Sequence, residues 1–161
     1  MATPDFVLAL RERIGHAPLW LTGVTAVVLR GLGTPEAEVL LVRRQDNGAW
    51  TPVTGIIDPG EEPAVAAERE VLEEAAVVAV AERLSQVQVL PQNVYDNGDI
   101  TQYIDLVFRC RYESGEPYPA DGENSEARWF PLDALPEQVS QNFRTRIALA
   151  ASDEREARFT R

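Results

Sequence analysis

Gly55-Ile56-Ile57-Asp58-Pro59-Gly60-Glu61, continuing through Glu62 and Pro63 to Arg69-Glu70-Val71-Leu72-Glu73-Glu74-Ala75-Ala76-Val77, is the stretch on which the reading of this chain turns. Read as a helix from about Pro63, successive residues rotate by about 100°. Glu70, Glu73 and Glu74 then share one face within an arc of about 100°. The remaining surface carries Val65, Ala66, Ala67, Val71, Leu72, Ala75 and Ala76, so the pattern describes a packed helix with one charged edge.

A solvated acidic helix is the simplest account of such a run, and the spacing argues against it. Surface helices gain from Glu placed four residues before Lys or Arg, whereas Glu70 and Glu74 are like charges at i and i+4, which costs a few tenths of a kcal/mol. Two unit charges 4 Å apart repel by about 1 kcal/mol in water and about 4 at an effective dielectric of 20. The cluster is therefore unfavourable unless a cation neutralises it, and a hard divalent ion with oxygen ligands fits.

The segment resembles the Nudix box, G-x5-E-x7-R-E-U-x-E-E-x-G-U with U aliphatic. Of its nine defined positions, eight match, and the last glycine is Ala76. The resemblance implies an α/β/α sandwich with a mixed sheet and a loop-helix-loop catalytic motif, and hydrolysis of a nucleoside diphosphate linked to another group. It implies Mg²⁺, with Mn²⁺ as a substitute, held by Glu70, Glu73 and Glu74 and by the carbonyl of Gly55 or Thr54. Glu61 and Arg69 fall on positions that brace the loop against the helix, a task suited to the planar guanidinium fork.

Two departures stand out. Ala76 occupies the site of a helix-ending glycine, and a positive φ there would cost on the order of 1 kcal/mol. Upstream, Trp50-Thr51-Pro52-Val53-Thr54-Gly55 keeps only the first and last residues of the family's Trp-x-Leu-Pro-Gly-Gly. This bears on the carbonyl geometry and leaves the carboxylates untouched.

Composition narrows the function further. The 161 residues suit one domain over 1–161, with an N-terminal helix at about 4–15, the box at 55–77 and a C-terminal helix at about 137–151. No apolar run has membrane length, and Met1 to Asp5 lacks a basic segment leading into an apolar one. A cytoplasmic protein without a membrane partner is expected. Cys110 is the sole cysteine and sits in the apolar run Leu106 to Cys110, which reads as a buried thiol; His16 is the sole histidine and flanks the first helix. Cys/His and Ser/His/Asp mechanisms therefore have little to work with.

The net charge of −11 disfavours a long nucleic acid held by basic contacts. A small nucleotide remains compatible, because a metal converts carboxylates into a local positive site. All fifteen basic residues are arginine, so phosphate would be met by guanidinium groups, main-chain amides and metal.

Strands are expected over Trp20 to Arg30, Glu38 to Arg44, Val77 to Ala81, Ser85 to Leu90, Thr101 to Tyr112 and Ala127 to Phe130. Pro131 to Leu135 reads as a turn of helix. Arg43 and Arg44 end a strand close to the box and face opposite ways; Arg44 is a candidate for substrate phosphate, with an exposed salt bridge as the alternative for either. Tyr95-Asp96-Asn97-Gly98-Asp99 carries a hairpin signal, and Tyr95 or Tyr103 could stack on a base. Asn142 could meet a base edge, or simply begin a helix.

The resemblance also places the general base in the loop before the last strand, where Glu123 is the first choice and Glu126 the second. Three functions compete: a pyrophosphohydrolase of the MutT-like type, a Nudix-fold nucleotide-binding or regulatory module without catalysis, and an isopentenyl-diphosphate-type isomerase, for which Cys110 is a weak candidate. Dimers are common in the family, so a homodimer is compatible with the resemblance. The residues do not specify which nucleoside diphosphate derivative is the substrate.

Overall fold

The computed structural model describes residues 3–160. The elements run α1 (Asp5–Ile14), β1 (Leu19–Arg30), β2 (Glu38–Arg44), β3 (Trp50–Thr51), β4 (Val53–Ile56), α2 (Pro63–Ala75), β5 (Val78–Val89), β6 (Asn93–Val94), β7 (Ile100–Ser114), β8 (Asn124–Pro131), α3 (Gln141–Ala151) and β9 (Arg158–Phe159).

Alternation along the central strands creates two cores. Val24, Ala26 and Val28 of β1, Leu40 and Val42 of β2, and Phe108 of β7 pack against Ala66, Ala67, Val71 and Ala75 of α2. Their neighbours Val27, Leu29, Val39, Leu41 and Val107 pack on the other face with Ile147 and Ala150 of α3. The result is the expected α/β/α sandwich around a mixed sheet. Val71 is fully buried, a burial that contributes about 1.5–3 kcal/mol.

β1 pairs in parallel with β7 from Leu19↔Thr101 to Leu29↔Arg111. Its other edge is divided between β4, antiparallel over Gly23↔Ile56 to Ala26↔Val53, and β2, antiparallel at Leu29↔Val39 and Arg30↔Glu38. β4 therefore delivers Gly55 opposite Val24 and beside the start of the loop into α2.

Several boundaries differ from expectation. The two extended segments at Val77 to Ala81 and Ser85 to Leu90 form one strand, β5, whose register against β7 shifts between Ala81 and Arg83 and again between Leu84 and Gln86. Bulges let one strand absorb the intervening residues. β8 begins at Asn124, antiparallel to β2, so Glu126 belongs to a strand and the preceding loop is shorter. Leu132 to Ala134 form a turn without helix. α3 starts at Gln141 because the Ser140 hydroxyl accepts from the Phe143 N–H at 3.3 Å, an N-cap. Among the described residues no helix is long and apolar enough to cross a membrane.

Candidate functional site

The loop between β4 and α2 is tied by its own acid. Glu61 accepts from the Asp58 N–H at 3.1 Å, and its main-chain N–H donates to the Asp58 carbonyl at 3.0 Å. Arg69, one turn into α2, meets Glu61 at two points, 2.8 and 2.9 Å. The same guanidinium donates to the Ile56 carbonyl at 3.3 Å, linking helix, loop and β4. This fork holds Glu61 below the usual carboxylate range and raises Arg69. Charge-assisted two-point pairs fix geometry as well as energy.

Glu70 lies directly against Gly55. A Cβ built on Gly55 would stand 2.1 Å from the Glu70 carboxyl carbon. Only glycine leaves room, and the reason is contact with a functional side chain, since φ at Gly55 is not positive. Glu70 is 3% exposed and Glu74 5%. Burial raises the pKa of Glu70 despite the opposing pull of Arg69, and burial pushes Glu74 up to about 7. Desolvation disfavours the charged form of a carboxyl.

The three helix carboxylates do not close into a ligand set by themselves. Among the described residues no group of three His, Cys, Asp or Glu side chains is gathered closely enough to hold a metal ion. Arg69 accounts for part of this, donating to Glu70 at 3.0 Å and to Glu73 at 3.1 Å, while the Asn124 amide donates to Glu74 at 3.2 Å. Like charges separate and take the donors nearest to them. The donor set nonetheless suits a hard divalent cation: three carboxylates within about one turn of α2, two of them desolvated, with Glu70 packed against Gly55. Glu73, 56% exposed, can exchange its contact by rotating its side chain.

Glu74 also lines a cavity of about 620 Å³ together with Thr54, Arg44, Tyr95, Tyr103 and Glu123. Such a volume lies within the range of small-molecule sites. Tyr95 and Tyr103 touch through their hydroxyls at 3.3 Å. The Asn97-Gly98 segment is a turn, with Gly98 at φ 87°, the Gly98 N–H donating to the Tyr95 carbonyl at 2.8 Å, and β6 pairing with β7 on either side. It lines the cavity as well, so the turn and pocket readings coexist. His16 reaches across to Asp99 at 2.8 Å.

Other candidates are placed differently. Glu123 lines the cavity, whereas Glu126 stands opposite Arg43 in the β2–β8 ladder, contacts it at 2.8 Å and also contacts Arg128. Arg44 meets Asp46 at 2.9 and 2.5 Å. Asn142 lies in α3, outside the cavity lining, and accepts from Arg146 at 2.9 Å. Cys110 is fully buried in the core beneath α2, and burial pushes its thiol up to about 12.

Sequence reasoning missed Asn124, which orients Glu74, and Asp46, which holds Arg44. A two-residue Arg-x-Asp spacing was the available signal for the second; nothing local marks the first, because its partner is fifty positions away. It also missed a buried cluster beneath α3. There Asp105 accepts from Thr25 at 3.0 and 3.1 Å and pairs with Arg146 at 3.3 Å. Burial raises Asp105 and lowers Arg146.

A family model described as NUDIX domain matches residues 20–149. Among relatives, an NAD-capped RNA hydrolase NudC from Deinococcus radiodurans is 33% identical over 118 residues, 71% of this chain but 38% of that protein. A MutT-like protein from Streptomyces ambofaciens is 28% identical over 130 residues, 81% of this chain and 76% of the relative. Of solved structures, an ADP-ribose pyrophosphatase from Streptococcus suis superposes with a TM-score of 0.64 at 23% identity, covering 87% of this chain and 98% of its own. A UDP-X diphosphatase gives 0.65 at 20% identity, covering 99% and 75%.

Proposed function

Because this chain belongs to the Nudix family, we propose that it is a divalent-metal-dependent pyrophosphohydrolase cleaving a phosphoanhydride bond in a nucleoside diphosphate linked to another group. The observation that carries the reading is the seating of Glu70 on Gly55, with Arg69 clamped to Glu61, on the same helix whose Glu74 lines the cavity. Substrates named for relatives and fold neighbours, NAD-capped RNA, ADP-ribose and UDP-X, share that chemical core.

Glu70, Glu73 and Glu74, with the carbonyl of Gly55 or Thr54, would hold Mg²⁺ or Mn²⁺. When bound, the ion supplies charge neutralisation for diphosphate oxygens and acidifies water. The chain's own groups do the rest. Arg69 and Glu61 fix the loop so that the Gly55 and Glu70 oxygens keep their spacing. Asn124 holds one oxygen of Glu74 and so sets its orientation. Glu123, which lines the cavity, would accept the proton of the attacking water. Tyr95 and Tyr103 offer aromatic surface to a base.

Release of phosphate products from a panel of nucleoside triphosphates, ADP-ribose and dinucleotides, only with Mg²⁺ or Mn²⁺, is the expected result. No turnover of any member by folded, metal-loaded protein refutes the reading. Ligand binding with every activity unchanged in Glu73→Gln and Glu74→Gln would instead favour a non-catalytic module. The isomerase alternative lacks a reactive cysteine, since Cys110 is enclosed in the core with a raised pKa.

A further inference from the structure

Among the described residues that line the cavity, acidic side chains outnumber basic ones, and both arginines are already engaged. Asp46, Glu74, Asp96, Asp99 and Glu123 line it against two arginines, Arg11 and Arg44. Arg11 donates to the carbonyls of Gly15 at 3.0 Å, Ala17 at 2.7 Å and Ile100 at 2.7 Å. Its guanidinium braces the end of α1 against β7. Arg44, at the end of β2, is held by the Asp46 carboxylate at two points. No lysine exists in the chain to add a mobile ammonium.

This balance distinguishes substrates that share a diphosphate. A nucleoside diphosphate esterified to a sugar or a second nucleoside carries about two negative charges at neutral pH, and a divalent ion cancels them. A nucleoside triphosphate carries about four, and the surplus must face the lining carboxylates. Sugar hydroxyls reverse the preference, because they donate hydrogen bonds that aspartates accept.

We propose that this cavity selects nucleoside diphosphates whose second substituent is uncharged, a sugar or a nucleoside, over nucleoside triphosphates, and that Asp46 sets the preference by holding Arg44. The proposal rests on the pyrophosphohydrolase reading of the same site. Asp46 acts as a specificity residue through charge: it removes one guanidinium from use by a terminal phosphate and leaves the helix carboxylates untouched.

The test is steady-state kinetics on full-length protein with saturating Mg²⁺, using ADP-ribose and diadenosine diphosphate against ATP. Wild type should show kcat/KM at least tenfold higher for the two uncharged-substituent substrates. Asp46→Asn keeps the shape of the side chain and removes the charge that holds Arg44, so KM for ATP should fall and the selectivity ratio shift at least fivefold toward ATP. Adding Arg44→Gln to Asp46→Asn should abolish that gain, which separates release of a cation from general loosening of the loop. Equal or better use of ATP by wild type overturns the proposal, as does an unchanged ratio in folded Asp46→Asn protein. Turnover of neither class by metal-loaded wild type refutes the hydrolase reading itself, and the selectivity falls with it.

Discussion

Replacing Ala76 with glycine should stabilise the protein and leave its chemistry alone. Ala76 caps α2 at φ 55° and ψ 27°, with its N–H donating to the Leu72 carbonyl at 3.1 Å. It is the one non-glycine residue with positive φ among the described residues. The left-handed region costs an L-residue about 1–2 kcal/mol, and glycine relieves that cost. Against it stands the extra freedom glycine gives the unfolded chain, about 0.4–1 kcal/mol. The difference is a gain of about 0.5–1 kcal/mol, which at about 2–4 °C per kcal/mol for a domain of this size raises Tm by about 1–4 °C. Thermal and urea unfolding of Ala76→Gly, beside Ala75→Gly as a control one residue inside the helix, measure it. Ala75→Gly should lose about 1 kcal/mol or more through helix propensity and lost packing. A neutral or destabilised Ala76→Gly would show that the cap does not strain the chain. A change in kcat/KM beyond twofold would show that the cap geometry reaches the carboxylates.

Three further outcomes follow from the site. Gly55→Ala forces a methyl into the position of the Glu70 carboxyl; Mn²⁺ affinity by calorimetry should fall at least tenfold while the protein stays folded, and unchanged affinity would mean that Glu70 is not a ligand. Arg69→Lys keeps the charge and loses the fork to Glu61; a stability loss of about 1–3 kcal/mol is expected for a part-buried, two-point charged pair, and denaturant unfolding with no loss would reduce the clamp to a surface contact. Burial raises Glu74 to about 7 from an ordinary 4.5, so the folded metal-free protein holds a proton there that the unfolded chain has released. Its stability should therefore fall as pH rises from about 4.5 to 7, and Mn²⁺ affinity should rise over the approach to pH 7 and level off above it. Glu74→Gln should flatten the Glu74 component of both profiles, and persistence of that component in the variant would assign it elsewhere.

What was legible in the sequence depended on how far apart the partners lie. The box is local: Glu61 to Arg69 spans eight residues, Gly55 to Glu70 fifteen; residue type with spacing was enough to anticipate the helix and its carboxylate face, and the resemblance to the Nudix box supplied the loop and the clamp. β1 and β2 were also readable, because long apolar runs with turn residues between them admit few alternatives. β3 and β4 were not, since Pro52 divides two very short strands whose existence depends on β2 and β1 supplying the ladder. The break expected between Ala81 and Ser85 failed for a similar reason: Glu82 and Arg83 look like loop residues, yet bulges against β7 accommodate them. The roles of Asn124 and Asp105 depend on tertiary neighbours. Only the Arg44 and Asp46 pair left a trace in spacing.

The crowded carboxylates can now be weighed as charges. Glu61, Glu70, Glu73 and Glu74 carry four negative charges when ionised, and Arg69, in contact with the first three, supplies one positive charge. Its strongest geometry goes to Glu61, leaving single contacts to Glu70 and Glu73 and none to Glu74. Protonation near neutrality partly relieves Glu74, a response open to a buried carboxyl and not to an exposed one. A divalent cation held there would relieve the same repulsion at all three helix positions, so its binding free energy would include removal of a strain that folding has already built in. Under the proposed function, that strain would also be what lets a chain of net charge −11 attract a diphosphate: the attraction would be local, appear with the cation and vanish with it. Nucleotide affinity should therefore follow metal concentration steeply and ionic strength only weakly, the reverse of binding through a basic surface.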